Sequence, residues 1–115
     1  MADSGMEGIQ RQMKKGVMEI LVLFLLKDND LYGYQIIQEL SRKSRGYFQI
    51  KEGTLYPVLY RLEDGGYIES YWEQPQEKRQ VPRKFYRITW EGRDALKSMQ
   101  NEWINFAYNV NVILN

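Results

Sequence analysis

The sequence predicts an α+β fold that is mainly α-helical and carries a small β-hairpin. Apolar residues recur at helical spacing over most of the chain, which predicts helices. Two later stretches are rich in aromatic and β-branched residues and flank a loop with a proline at each end, which predicts a hairpin. With 115 residues and 43% hydrophobic content, the chain is long enough to bury one core.

We divide the chain into three parts on this basis. Residues 1–8 are small and polar and are expected to form a flexible N-terminus. Residues 9–89 hold the first helices and the hairpin, and residues 90–115 form a separate C-terminal helix. The chain therefore reads as one compact domain with a helical extension.

The composition excludes several classes of function. The chain has no cysteine and no histidine, so it cannot assemble a Ser/His/Asp or Cys/His nucleophile, and the usual zinc ligands are missing. Its acidic residues are mixed with lysine and arginine, as on a solvated surface. We therefore expect no enzyme activity, no metal and no cofactor. Sixteen basic and fifteen acidic residues leave a net charge of +1, so any basic surface must come from local clustering.

The first helix is predicted from Ile9 to about Lys27. Its apolar run, residues 20–26, has only seven residues, whereas a membrane-spanning helix needs about 20 apolar residues. Glu19 precedes the run and no small-residue cleavage site follows it, which argues against a signal peptide. We expect a buried helix, no membrane association and a cytoplasmic location.

The second helix is predicted from Leu31 to about Ser44, with Asp30 as its N-cap. Gly33 lies on its apolar face, where the absence of a side chain lets a neighbouring helix approach closely. Residues 46–50 could form a short strand.

The third helix is predicted to begin near Gly53 or Thr54 and to end at residues 65–66. That start would place Pro57 in the first turn, where a proline is tolerated. At 100° per residue the helix has one apolar side and one exposed side. The apolar side consists of Leu55, Val58, Leu59 and Leu62, and the exposed side carries Gly53, Pro57, Tyr60 and Arg61.

The hairpin is predicted from strands over residues 67–74 and 83–89, with Ile68, Tyr86 and Ile88 facing inward. Its connecting loop is longer than a tight turn. Cations cluster near the tip against the single anion Glu77; they are Lys78, Arg79, Arg83 and Lys84. A protruding basic hairpin that follows a helix-turn-helix is a wing.

Thr89 is the predicted N-cap of the last helix. The apolar residues of this helix are spaced by 3, 4, 3, 4 and 3 positions, which is a heptad pattern. They are Leu96, Met99, Trp103, Phe106, Val110 and Ile113. The pattern predicts a homodimer interface, with amphipathic packing onto the chain's own domain as the alternative.

This order of elements is typical of a winged helix-turn-helix, which places one helix in the major groove of double-stranded DNA. We expect phosphate contacts from the wing and base reading from the third helix. The predicted DNA-binding residues are Lys51, Thr54, Tyr56, Pro57, Tyr60, Arg61, Lys78, Arg79, Arg83 and Lys84. The alternative is a protein-interaction adaptor without DNA binding, which the near-neutral charge and the aromatic residues Tyr67, Tyr71 and Trp72 would favour.

The chain resembles the PadR-like transcriptional regulators. The matching stretches are LYGYQII at 31–37, GTLYPVLYRLE at 53–63 and RKFYRIT at 83–89, followed by Gly92. The resemblance implies a winged-helix DNA-binding domain, a homodimer and repression relieved by an effector. The single C-terminal helix makes the chain similar to short-form members.

Some short-form members bind flat aromatic or cationic drugs between their subunits, and Trp103 occupies the position of the tryptophan that they use. The resemblance thus implies multidrug binding, a planar aromatic or cationic small molecule held by stacking and cation–π attraction. Met13, Val17 and Ile20 would line the same space. The alternative is that Trp103 only fills the heptad seam.

Overall fold

A computed structural model of the chain describes residues 4–75 and 77–115. It has the predicted α+β architecture of helices with a small antiparallel sheet. The elements in chain order are α1 (Ser4–Lys15), α2 (Met18–Leu26), β1 (Leu31–Tyr32), α3 (Gly33–Lys43), α4 (Glu52–Asp64), β2 (Ile68–Glu73), β3 (Arg83–Ile88) and α5 (Trp90–Leu114).

The core is built around α2, which is buried on several sides as its apolar run predicts. Met18, Val22, Leu23 and Leu26 are almost completely removed from solvent. Against them pack α3, α4, the sheet and the first turns of α5. Among the described residues, no helix is both long enough and apolar enough to span a membrane.

The predicted single helix over residues 9–27 is wrong, because the chain forms two helices there. Helix α1 begins at Ser4, well before Ile9, and ends at Lys15. Val17 then leaves helical geometry, with φ −113° and ψ 4°, before α2 begins. Gly16, a weak helix former, precedes this break. Residues 1–3 of the predicted flexible terminus lie outside the described residues, and its remaining residues belong to α1.

Asp30 is not an N-cap, which corrects the second predicted helix. Leu31 and Tyr32 instead form β1, which pairs with β3 in a sheet of order β1–β3–β2. Tyr32 caps α3, and its backbone N–H donates to Oε1 of Gln35 at 3.1 Å. The Asp30 carboxylate accepts a hydrogen bond from the Tyr71 hydroxyl at 2.7 Å instead.

Residues 46–50 do not form the predicted strand. Helix α3 ends in a turn in which Arg45 and Gly46 have positive φ angles of 53° and 86°. Glycine adopts that conformation at no steric cost, so Gly46 reverses the chain direction after α3. Residues 48–51, which have no regular secondary structure, then lead into α4.

Helix α4 begins at Glu52 with Lys51 as its N-cap, so the prediction that Pro57 lies in the first turn is wrong. The Lys51 carbonyl accepts from the N–H groups of Thr54 at 2.9 Å and Leu55 at 3.0 Å. Pro57 lies in the second turn and has no N–H to donate to Gly53. The predicted apolar side of α4 is correct, because all four of its residues are buried.

The hairpin and the start of the last helix form as predicted. Ile68, Tyr86 and Ile88 are buried, with Ile68 opposite Ile88 in the register. The Thr89 side chain accepts from the N–H of Gly92 at 3.0 Å, which confirms its role as the N-cap of α5. Helix α5 is thereby fixed to the base of the hairpin.

Candidate nucleic-acid interface and apolar groove

Helix α4 turns one side into the core and leaves the other in solvent. Of the predicted reading residues on α4, Tyr60 is 71% exposed, Pro57 is exposed and Thr54 is half-buried. Lys51 is exposed at the N-terminal end, where the helix dipole adds partial positive charge. The exposed side of α4 therefore offers the phenol of Tyr60 and the ammonium of Lys51 to solvent, and a single helix is of the size that the major groove admits.

Tyr56 differs from this simple picture, because its hydroxyl group is in contact with α3. A Cβ atom built on Gly33 would meet the Tyr56 hydroxyl and would lie 3.0 Å from the adjoining ring carbon. The close approach that Gly33 was predicted to allow is thus made by Tyr56. The ring remains 43% exposed, so Tyr56 both joins α3 to α4 and offers an aromatic edge to solvent.

Arg61 is not a free cation. Its guanidinium forms an ion pair with the Glu19 carboxylate of α2, with Nη2–Oε2 at 2.9 Å and Nε–Oε2 at 3.0 Å. Local sequence patterns do not predict this contact, since the partners are 42 positions apart. Arg61 is therefore tied to the core helix in the free protein.

The four predicted wing cations fall into two pairs. Lys78 and Arg79 are exposed in the turn at the tip, and within the described residues neither forms an ion pair. Arg83 pairs with Glu73 at 2.6 Å, and Lys84 is half-buried with its Nζ 5.8 Å from the centre of the Tyr86 ring. The tip thus carries the cations that are most available to a phosphate backbone.

Arg83 also lies over an aromatic cluster formed by β1 and the two hairpin strands. Its guanidinium is 4.9 Å from the Tyr32 ring centre, and the Glu73 carboxylate and the Tyr32 hydroxyl raise the pKa of Arg83. Phe85 packs edge-on against Tyr32 at 5.3 Å and stacks with Tyr71 at 5.7 Å. The hydrogen bond to the Asp30 carboxylate raises the pKa of Tyr71. Strand alternation predicts that Tyr71 and Phe85 share a face, but β1 was missing from the prediction.

An apolar groove of about 640 Å³ lies between α1, α2 and α5. It contains all four predicted effector residues, Met13, Val17, Ile20 and Trp103. The other lining residues are Gly16, Glu19, Met99, Glu102, Phe106 and Val110. The volume lies in the range of small-molecule sites, which are about 300–1,000 Å³. Sequence reasoning missed the two carboxylates, although a signal was present for Glu102, which lies three positions after Met99 and four before Phe106.

The heptad residues of α5 change from buried to exposed along the helix. Leu96 is buried and Met99 is half-buried against the core. Beyond them Trp103 is 45% exposed and Ile113 is 82% exposed, with Phe106 and Val110 also in solvent. Packing onto the chain's own domain, the alternative for this seam, therefore accounts only for its first two residues.

Among the residues that the structure describes, no group of three or more acidic side chains comes together as a metal site would require. The described buried side-chain nitrogen and oxygen atoms all have hydrogen-bond partners. The surfaces left to explain are thus the exposed side of α4, the wing tip and the apolar groove with its adjoining seam.

Comparison with known proteins assigns this architecture to a family. The model of the "Transcriptional regulator PadR-like family" matches residues 22–98. A transcriptional regulator of Mycobacterium tuberculosis is 38% identical over 89 residues, which cover 75% of each chain. An uncharacterized protein of Lysinibacillus sphaericus is 38% identical over 95 residues, or 83% of this chain and 85% of that protein.

Solved structures agree with the sequence relatives. A transcriptional regulator from Clostridium thermocellum superposes with a TM-score of 0.82 at 34% identity, covering 90% of this chain and 99% of that chain. A PadR family transcriptional regulator from Eggerthella lenta also gives 0.82, at 30% identity, with 96% and 92% covered. Winged helix, matched family model and relatives together show that the chain belongs to the PadR-like family of DNA-binding transcriptional regulators, which are not enzymes.

Proposed function

We propose that the chain is a repressor that binds palindromic operator DNA as a homodimer and is released by a planar aromatic or cationic effector. The observation that carries this proposal is the division of α4 into a buried apolar side and an exposed side. Next to it, the wing offers Lys78 and Arg79 for phosphate contacts. Because the target is genomic DNA, we propose that the protein acts in the cytoplasm.

The exposed seam of α5 supports the homodimer. Trp103, Phe106, Val110 and Ile113 form an apolar stripe in solvent, and a second copy of the same stripe would cover it. A twofold dimer presents two α4 helices to one face of DNA. Half-sites would then lie one helical turn apart, about 34–36 Å.

The groove supports the effector role. Trp103 supplies a flat aromatic surface and Met13, Val17 and Ile20 supply apolar walls, while Glu19 and Glu102 add negative charge. This combination suits a planar cation, because stacking and cation–π attraction both favour it. Phenolate anions would face two carboxylates.

DNA binding is tested by titrating the affinity for the chain's own promoter region against salt concentration. Each lost phosphate contact should reduce the log–log salt slope by about one, so replacing Lys78 and Arg79 with Gln in both protomers of the dimer should reduce it by about four. Lys97→Gln, an exposed cation on α5, is the matched control and should leave the slope unchanged. A promoter that is not protected, together with a flat salt response, would instead favour the adaptor without DNA binding.

The effector role is tested by calorimetric titration with ethidium, a planar cation, and with phenanthridine, its uncharged parent ring. Trp103→Ala should weaken phenanthridine binding by roughly fivefold, because stacking is worth about 1 kcal/mol. It should weaken ethidium binding by up to roughly thirtyfold, because the cation also loses a cation–π attraction of about 1 kcal/mol. Val81→Ala, which changes an exposed apolar residue far from the groove, serves as the control. Unchanged dye affinity in Trp103→Ala would remove this part of the proposal.

A further inference from the structure

Glu19 is the one acidic residue in the described chain that both lines the apolar groove and forms an ion pair with α4. It stands in the first turn of α2, between the two surfaces. Its side chain is 29% exposed and that of Arg61 is 57% exposed, so the pair is open to exchange with another cation. The same carboxylate thus contacts the helix that reads DNA and the space that would hold an effector.

Two cations would compete for this carboxylate. In the free protein the Arg61 guanidinium holds one oxygen, Oε2, through two of its nitrogens. A cation in the groove would approach a lining that is otherwise almost entirely apolar, where attraction to a carboxylate is stronger than in water. A cation that contacts Glu19 would share its carboxylate with Arg61, and the repulsion between the two positive charges would weaken the Arg61 pair.

We propose that Glu19 is a specificity-determining residue that exchanges Arg61 for a cationic ligand in the groove. The exchange frees Arg61 from α2 and removes a tie between α4 and the core helix. It makes groove occupancy and the position of the recognition helix mutually dependent, because coupling between two sites is reciprocal. This inference rests on the proposed effector role of the groove.

Competition predicts opposite effects from the two partners of the ion pair. Glu19→Gln should weaken ethidium binding, because the ligand loses its carboxylate. Arg61→Gln should strengthen ethidium binding, because the ligand no longer has to displace a competitor. Exposed ion pairs are worth about 0.2–1 kcal/mol, so we expect each change to be up to about fivefold. Phenanthridine has no charge to offer, so neither substitution should alter its affinity.

Two control variants separate competition from simpler explanations. Glu102→Gln removes the other carboxylate of the groove and should weaken ethidium binding without changing the gain produced by Arg61→Gln. Arg42→Gln breaks an exposed ion pair with Glu39 on α3, outside the groove, and should leave ethidium affinity unchanged. A merely structural ion pair would shift ligand affinity in the same direction whichever partner is removed.

The titrations distinguish the possible failures. If ethidium binds the wild type and its affinity for Arg61→Gln is unchanged or lower, the exchange is overturned. The proposed effector role is not affected by that result. Failure of both dyes to bind the wild-type dimer overturns the effector role and the exchange together. The exchange is supported if Arg61→Gln raises the affinity for ethidium but not for phenanthridine, and Glu19→Gln lowers the affinity for ethidium.

Discussion

The winged-helix core and the arm of the molecule differ in how far their large aliphatic side chains are buried. By the core we mean α2 through β3, and by the arm we mean α1 together with residues 100–114 of α5. In the core, Leu23, Leu55 and Ile36 are fully buried. In the arm, large apolar side chains stand in solvent; they include Met6, Ile9, Met13, Trp103, Phe106, Ile113 and Leu114.

This difference indicates which part of the chain covers its own apolar surface and which part leaves that surface for a partner. The buried apolar cluster of the core is covered by the chain's own elements, and its described buried polar atoms are paired, as in a self-sufficient domain. An arm with contiguous exposed apolar surface is typical of an interface. The predictions that follow test this division of the molecule, and they begin with the arm.

The largest effect is expected from Phe106→Asp in the arm. Placing a charge in the proposed seam should cost about 2 kcal/mol for each copy, or about 4 kcal/mol per twofold dimer, because both protomers carry the change. Sedimentation equilibrium should show monomers at concentrations where the wild type is dimeric. The circular dichroism of the helices should be retained, because Phe106 contributes nothing to the core cluster.

Ser98→Asp, an exposed position on α5 away from the heptad seam, is the matched control and should leave the dimer intact. A Phe106→Asp protein that remains dimeric would mean that the exposed seam is not the contact between protomers. The core and the arm would then need another explanation for their difference.

An intermediate effect is expected from Gly92→Ala, where the first turn of α5 packs on the core. The new Cβ would collide with the Tyr67 carbonyl oxygen and would lie 2.8 Å from Cγ1 of Ile88. Both neighbours are held, since that carbonyl accepts from the Thr89 N–H at 3.1 Å and Ile88 is buried. Urea unfolding should show a loss of about 1–3 kcal/mol in the free energy of unfolding.

Gly53→Ala is the control for this substitution, because nothing lies within 4 Å of its Cβ position. It should raise the free energy of unfolding by about 0.4–1 kcal/mol by restricting the unfolded chain. Equal responses at the two glycines would show that the junction between β2 and α5 is looser than the structure indicates.

The smallest effect is expected from Gly33→Ala, at the contact between α3 and α4. Its new methyl group would meet the far end of the Tyr56 side chain, which can move more easily than backbone. We expect a loss of about 1 kcal/mol in the free energy of unfolding. Adding Tyr56→Phe, which removes the hydroxyl in conflict, should recover most of that loss in a double-mutant cycle.

Local patterns predicted much of the fold because they report local physics. The buried side of α4 follows from 3.6-residue periodicity, and the Thr89 cap follows from the need of the first N–H groups of α5 for an acceptor. The inward residues of the hairpin follow from strand alternation. The clustering of Met13, Val17, Ile20 and Trp103 came from the family resemblance rather than from spacing.

The failures concern contacts between distant residues. Strand β1 has only two residues and exists because it pairs with β3, which is more than 50 positions later in the chain. That pairing takes Asp30 away from the cap position that its sequence context favours. The prediction for Arg61 failed for the same reason. Its position on the exposed side of α4 predicted a free DNA contact, but the fold places Glu19 of α2 beside it. The break at Gly16–Val17 interrupts an apolar pattern that continues through it.

The attachment of α5 at one end has a mechanical consequence. The helix is fixed at Gly92 and Leu96, and the remaining turns to Leu114 extend about 27 Å at 1.5 Å per residue. A tilt of about 5° at the fixed end would move the far end by roughly 2 Å, so the helix multiplies small angular changes. In a twofold dimer, a small rotation of the winged domains would thus produce a larger displacement where the C-terminal ends of the two α5 helices meet. Conversely, a ligand that separates those ends would rotate the winged domains by a small angle.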